Sequence, residues 1–109
     1  MSQPFQELAS LNKLIHEPGR LAIVTALAAC ESADFVFLQR LTGLSKGNLS
    51  AHLSKLEDAG VVLIRKEFAG KLPRTVISLS ESGRGSVRQY WEQLERLKRE
   101  AGNWNPVAT

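Results

Sequence analysis

The chain is poor in the residues from which catalytic and metal-bound devices are built. It has one cysteine, Cys30, and two histidines, His16 and His52, far apart in the sequence. That inventory excludes a disulfide framework and gives no zinc-ligand spacing. Cys30 closes the apolar run LAIVTALAAC, where a small buried hydrophobe in a reducing cytoplasm is expected. No stretch approaches the roughly 18 apolar residues of a membrane span, and MSQPFQEL has neither a basic start nor an apolar signal core. A soluble, cytoplasmic, nucleoid-associated protein with no membrane partner follows as an expectation. G-x-S-x-G, the P-loop, G-x-G-x-x-G and paired carboxylates at a strand end are all missing, so the inventory supports no enzyme, no cofactor and no metal. Internal repeats and low-complexity segments are missing too.

What the 109 residues do contain is enough for one domain, burying about two-thirds of its unfolded surface. We expect that domain over 1–101, with a flexible tail over 102–109. The net charge of +3 is small, but it is localised. Residues 45–79 carry Lys46, Lys55, Arg65, Lys66, Lys71 and Arg74 against only Glu57, Asp58 and Glu67. The segments on either side nearly balance. A local excess of this sign favours a polyanionic partner.

The run LTGLSKGNLSAHLSKLEDAG, residues 41–60, holds a turn, a helix start, a polar face and a helix stop. Gly43 and Leu44 suit the turn, Ser45 is placed to cap a helix over 45–59, and Gly60 suits its left-handed end. Leu49, Leu53 and Leu56 form one apolar stripe, which leaves Gly47, Asn48, Ser50, Ala51, Ser54 and Lys55 outward. Small, hydrogen-bonding residues with no acid before Glu57 suit a DNA major groove better than they suit a solvated helix. Lys46 and Asn48 fall in the first turn, where side chains reach bases or phosphates, and Gly47 permits close backbone approach. Ser50 and Ala51 follow one turn later. His52, near the edge of the apolar stripe, is either packed or a phosphate ligand.

Around this run the periodicity predicts a first helix over 4–16, a buried helix over 20–30, a brief extended stretch at 34–36 and a helix over 37–42. Strands are expected over 61–68 and 74–79, interrupted by Ala69 to Pro73, with Phe68 at the base of the resulting hairpin. Lys66, Lys71 and Arg74 mark that hairpin as a phosphate contact. Ser80 then caps a long last helix. Val87, Tyr90, Leu94 and Leu97, with Trp91 beside them, give it a coiled-coil-like seam, and Phe5, Leu8, Leu11 and Ile15 give another at the other end. Two such seams predict a homodimer. The expected fold class is mainly α with a small β-hairpin (α+β), and this order of elements is similar to a winged helix-turn-helix with a long C-terminal helix.

RLAIVTALA, DFVFLQRLTGLSKGNLSAHLSKLEDAGVV, FAGKLPRTVISLS and SGRG, spread over about 11–97, resemble winged-helix transcriptional regulators of the MarR and ArsR type, and within them a small bacterial and archaeal group of stand-alone regulators. The resemblance implies a homodimer on double-stranded operator DNA, the recognition helix in the major groove and the wing on the adjacent backbone or minor groove. The paired cysteines of the ArsR metal box are missing here, and no residue set identifies an effector ligand. Two other readings are open: a winged helix used for protein–protein assembly, which would replace the polar recognition face with apolar or acidic residues, and a single-strand or RNA binder, which would expose strand aromatics for base stacking.

Overall fold

A computed structural model describes residues 3–104. Residues 105–109, most of the expected tail, lie outside the described residues. Five helices and three strands follow in the order α1 (Pro4–Ala9), α2 (Pro18–Ala28), β1 (Ala33–Asp34), α3 (Phe35–Thr42), α4 (Lys46–Asp58), β2 (Val62–Ala69), β3 (Leu72–Leu79) and α5 (Glu81–Gly102). The strands form one antiparallel sheet in the order β1-β3-β2. This is the α+β winged-helix architecture expected from the sequence.

Local chemistry sets the ends of these elements. Asp34 caps α3 by accepting from the Phe37 N–H at 2.8 Å, and Gly43 ends it with φ +69°. Ser45 Oγ accepts from the Asn48 N–H at 3.1 Å to start α4. The expected first helix over 4–16 is instead a six-residue helix followed by a turn. It ends at Ala9, where the Ser10 N–H and hydroxyl both donate to the Glu7 carbonyl, and Asn12 then opens a separate turn, its side-chain oxygen accepting from the Leu14 and Ile15 N–H groups at 3.0 and 3.3 Å. The turn still drives Leu11 and Ile15 inward, so their helical spacing had a different cause.

Leu11, Ile15, Ile23, Leu27, Leu38, Leu49, Leu56, Ile77, Val87, Tyr90 and Leu97 belong to one buried core that joins the helix-turn-helix to both chain ends. This corrects the reading of two free dimer seams. Leu11, Ile15, Val87, Tyr90 and Leu97 are each no more than 3% exposed within the single chain and offer no area to a second copy. Leu8 and Leu94 are partly buried against the same core. Phe5 and Trp91 keep exposed surface. At the far end Trp104 meets the Phe5 ring edge-on at 5.5 Å. Arg96 of α5 ties α1 down through Glu7 at 2.6 Å, and the Tyr90 hydroxyl, whose pKa burial raises, bonds His16 Nδ1 at 2.7 Å. Cys30 also departs from expectation. It lies beyond the end of α2, is half-buried, and its thiol donates to the Ala26 carbonyl.

Candidate nucleic-acid interface

Helix α4 is held from behind by its apolar stripe: Leu49, Leu53 and Leu56 are buried, as their spacing predicts. The opposite face is open. Lys46, Gly47, Asn48, Ser50, Ala51 and Lys55 are all exposed, and so is the capping Ser45. Lys46, Gly47 and Asn48 occupy the first turn, where the helix dipole is positive and adds to the lysine charge in favouring an anion. No acidic residue lies in that turn.

His52 is the exception on this helix. It turns back onto the start of α2, where its Nδ1 lies 3.3 Å from an Arg20 guanidinium nitrogen and 3.7 Å from a Glu17 carboxylate oxygen. With its side chain only 21% exposed, His52 braces α4 against α2. Arg20 is itself fixed by donating to the Leu14 carbonyl at 2.6 Å. Glu17 accepts from the N–H groups of Arg20 and Gly19, and those bonds, the Arg20 one first, hold its carboxyl below the usual range against the opposing effect of burial.

The wing is longer and more sharply turned than the sequence suggests. The interruption expected over 69–73 shrinks to Gly70 and Lys71, with Ala69 paired to Leu72. Gly70 has φ +67° and no other residue near it has a positive φ, the pattern of a two-residue hairpin with glycine first. Pro73 continues the strand because its partner is Phe68, one pair in from the closing pair. Pairs alternate in an antiparallel ladder, so this one is not hydrogen-bonded and proline's missing N–H costs nothing. Phe68 therefore sits near the tip of the wing, not at its base, and is 75% exposed.

Lys46 and Ser50 of α4 face Lys66, Pro73, Arg74 and Thr75 of the wing across an open groove of about 520 Å³, floored by Asp34, Phe35 and Val36. Four of the residues singled out from sequence (Lys46, Ser50, Lys66 and Arg74) thus converge on one surface. Lys71 stands exposed at the apex of the hairpin, and Lys55 lies toward the far end of α4. Among the described residues Asp34 is the only acid lining the groove, and its carboxylate is engaged in capping α3. Val36 and Thr75 escaped sequence reasoning, because only the pairing of β1 with β3 brings the start of α3 beside the wing. Among the described residues no group of three or more His, Cys, Asp or Glu side chains is arranged to hold a metal, and no helix is long and apolar enough to cross a membrane.

The comparisons agree with this geometry. An uncharacterized protein of Methanocaldococcus jannaschii is 29% identical over 87 residues, covering 80% of this chain and 95% of its own. A transcriptional regulator homologue from Pyrococcus horikoshii OT3 superposes with a TM-score of 0.82 at 26% identity, over 90% of this chain and 96% of that one. A MarR family transcriptional regulator from Silicibacter pomeroyi shares the fold, with a TM-score of 0.63 at 24% identity over 93% of this chain and 64% of that one. The family model described as a winged helix DNA-binding domain matches residues 20–98, and the chain belongs to that family.

Proposed function

We propose that the chain is a sequence-specific regulator of transcription that binds double-stranded DNA as a homodimer, with α4 in the major groove and the wing on the neighbouring backbone or minor groove. The observation that carries this reading is the groove between α4 and the wing, where Lys46, Lys66 and Arg74 face one another with Ser50. Three cations on two elements lining one groove suit the phosphates that border a major groove, and Lys71 extends the positive edge. Asn48, Ser50 and Ala51, on the exposed face of α4, are the proposed base-reading set. Amide, hydroxyl and methyl groups are the chemistry that discriminates base edges there. The assembly reading predicts an apolar or acidic face at these positions, and this face is neither. A cytoplasmic location beside the nucleoid accords with such a role.

Fluorescence anisotropy with a 30-base-pair duplex tests the reading. If a dimer neutralises roughly 6 to 10 phosphates, affinity falls on the order of 10³-fold or more between 50 and 200 mM salt. A flat salt titration, or equal affinity for duplex and single-stranded RNA, would overturn it.

A further inference from the structure

The outermost part of the wing is apolar on both faces. Residues paired across a hairpin share a face, so Phe68 and Pro73 lie on one side and Ala69 and Leu72 on the other. Phe68 is 75% exposed and Leu72 73%, the two most exposed large hydrophobic side chains described. β1 supports β3 only at Val76 and Ile77. From the Lys66 and Thr75 pair outward the ribbon has no further strand beside it, and the four pairs from there to Ala69 and Leu72 span about 10 Å at ~3.3 Å per residue. The exposed charge around this tip is mainly of one sign: Lys66, Lys71 and Arg74 are exposed cations, whereas Glu67 is paired with Arg65 at 2.7 Å and the carboxylate of Asp34, on the floor of the groove, caps α3. Large apolar side chains held out among exposed cations on a two-stranded ribbon fit a partner that combines an anionic rim with an apolar interior. The minor groove, with phosphates above and deoxyribose walls within, has that chemistry.

We propose that the wing tip is an apolar wedge that opens the DNA minor groove, Phe68 and Pro73 against one sugar wall and Ala69 and Leu72 against the other, with Lys71 and Arg74 on the flanking phosphates. The proposal rests on the DNA-binding reading above and specifies what the wing does there. The ~10 Å of two-stranded ribbon beyond the β1 pairing exceeds the ~7.5 Å depth of the groove, so the tip reaches the floor. A ribbon with side chains on both faces is about 10 Å thick, against a groove about 6 Å wide. The groove must therefore widen, and the duplex bends toward the major groove, as it does when apolar side chains are driven between base steps. Deformable TA and CA steps accommodate that change most easily, so the wing selects for them without hydrogen-bonding a base.

The test uses the full chain and a 30-base-pair duplex that the wild type enriches from a random pool, labelled at both ends for energy transfer. Wild-type protein is expected to shorten the end-to-end distance. The double variant F68S/L72S, altered at side chains that touch little of the fold, is expected to keep its melting temperature, to bind the same duplex about tenfold more weakly and to leave it straight. K71A is expected to weaken binding while the bend persists. If the double variant still bends the duplex, or the wild type binds without bending it, the wedge is overturned while DNA binding stands, and the exposed tip then belongs to a protein partner. If the wild type enriches no duplex at all, the wedge and the DNA-binding reading fall together.

Discussion

His52 of the recognition helix rests directly on Gly19 at the start of α2: a methyl group on Gly19 would lie 2.6 Å from the imidazole Nε2. The same crowding recurs at Gly83, where a methyl group would run into the Val61 backbone carbonyl. The two sites should respond differently. An imidazole can rotate, but Val61 is fixed by donating its N–H to the Leu56 carbonyl at 2.9 Å and by its carbonyl accepting from the Ser80 N–H at 3.0 Å. Gly83→Ala is expected to destabilise toward the upper end of the ~1–3 kcal/mol typical of overpacking, even after the gain in helix propensity. Gly19→Ala is expected to cost about 1 kcal/mol and to become neutral or favourable when His52 is also Ala, since the clash is then gone. Thermal unfolding of the four variants checks both; an unchanged cost of Gly19→Ala in the His52→Ala background would show that the imidazole is not the obstacle.

Glu17 makes stability at this junction depend on pH. Its carboxyl is held below the usual value, first by the Arg20 N–H and further by the Gly19 N–H, His52 and Arg20. A carboxyl whose pKa is lower folded than unfolded contributes fully above the unfolded value and loses that contribution as pH falls through the folded one. Glu17→Gln is therefore expected to lower the melting temperature at pH 7 by the equivalent of about 1 kcal/mol, a typical capping contribution. The difference from wild type should shrink toward pH 3. A difference that grows on acidification would assign the wrong sign to this group.

Base reading and backbone anchoring should separate by mutation. Asn48 stands exposed in the first turn of α4 and Lys71 at the apex of the wing. Asn48→Ala is expected to cost roughly 1–3 kcal/mol on a selected duplex and little on random DNA, whereas Lys71→Ala should weaken both about equally and reduce the salt slope by about 1. Equal losses for both variants on both duplexes would dissolve the division of roles.

The recognition helix could be read from sequence because everything that defines it is local. Ser45, the leucine stripe and Gly60, at φ +75°, lie within sixteen consecutive residues, and each acts on its own neighbours. The wing tip was misjudged because Pro73 reads as an interruption unless the register is known. Only the pairing of Phe68 with Pro73 shows that the missing N–H faces away from the ladder. His52 was ambiguous for a similar reason: its position near the edge of the stripe gives no hint that Gly19, remote in sequence, leaves a hollow for it. Periodicity also identified the apolar faces of the chain ends without saying what they face. For Leu11, Ile15, Val87, Tyr90 and Leu97 the answer is the chain's own core.

That outcome narrows where a homodimer could form. The expected contact must use what the core leaves uncovered on α1 and α5: Phe5, 49% exposed and edge-on to Trp104, Trp91, 37% exposed and edge-on to Tyr90, and the outer surfaces of Leu8 and Leu94. A two-fold pairing there, with the same residues contributed by both copies, would set the two α4 helices about one DNA turn apart, ~34–36 Å, and match an imperfect palindrome. The discriminating variants follow from burial. Leu97→Glu places a charge at a fully buried site and is expected to unfold the protein, so it says nothing about assembly. Phe5→Glu with Trp91→Glu, at side chains already in contact with water, is expected to leave a folded monomer that binds duplex DNA at least tenfold more weakly. Light scattering decides the matter: a wild type that is monomeric at micromolar concentration, or a double variant that remains dimeric, would mean that the two-fold contact lies on another face.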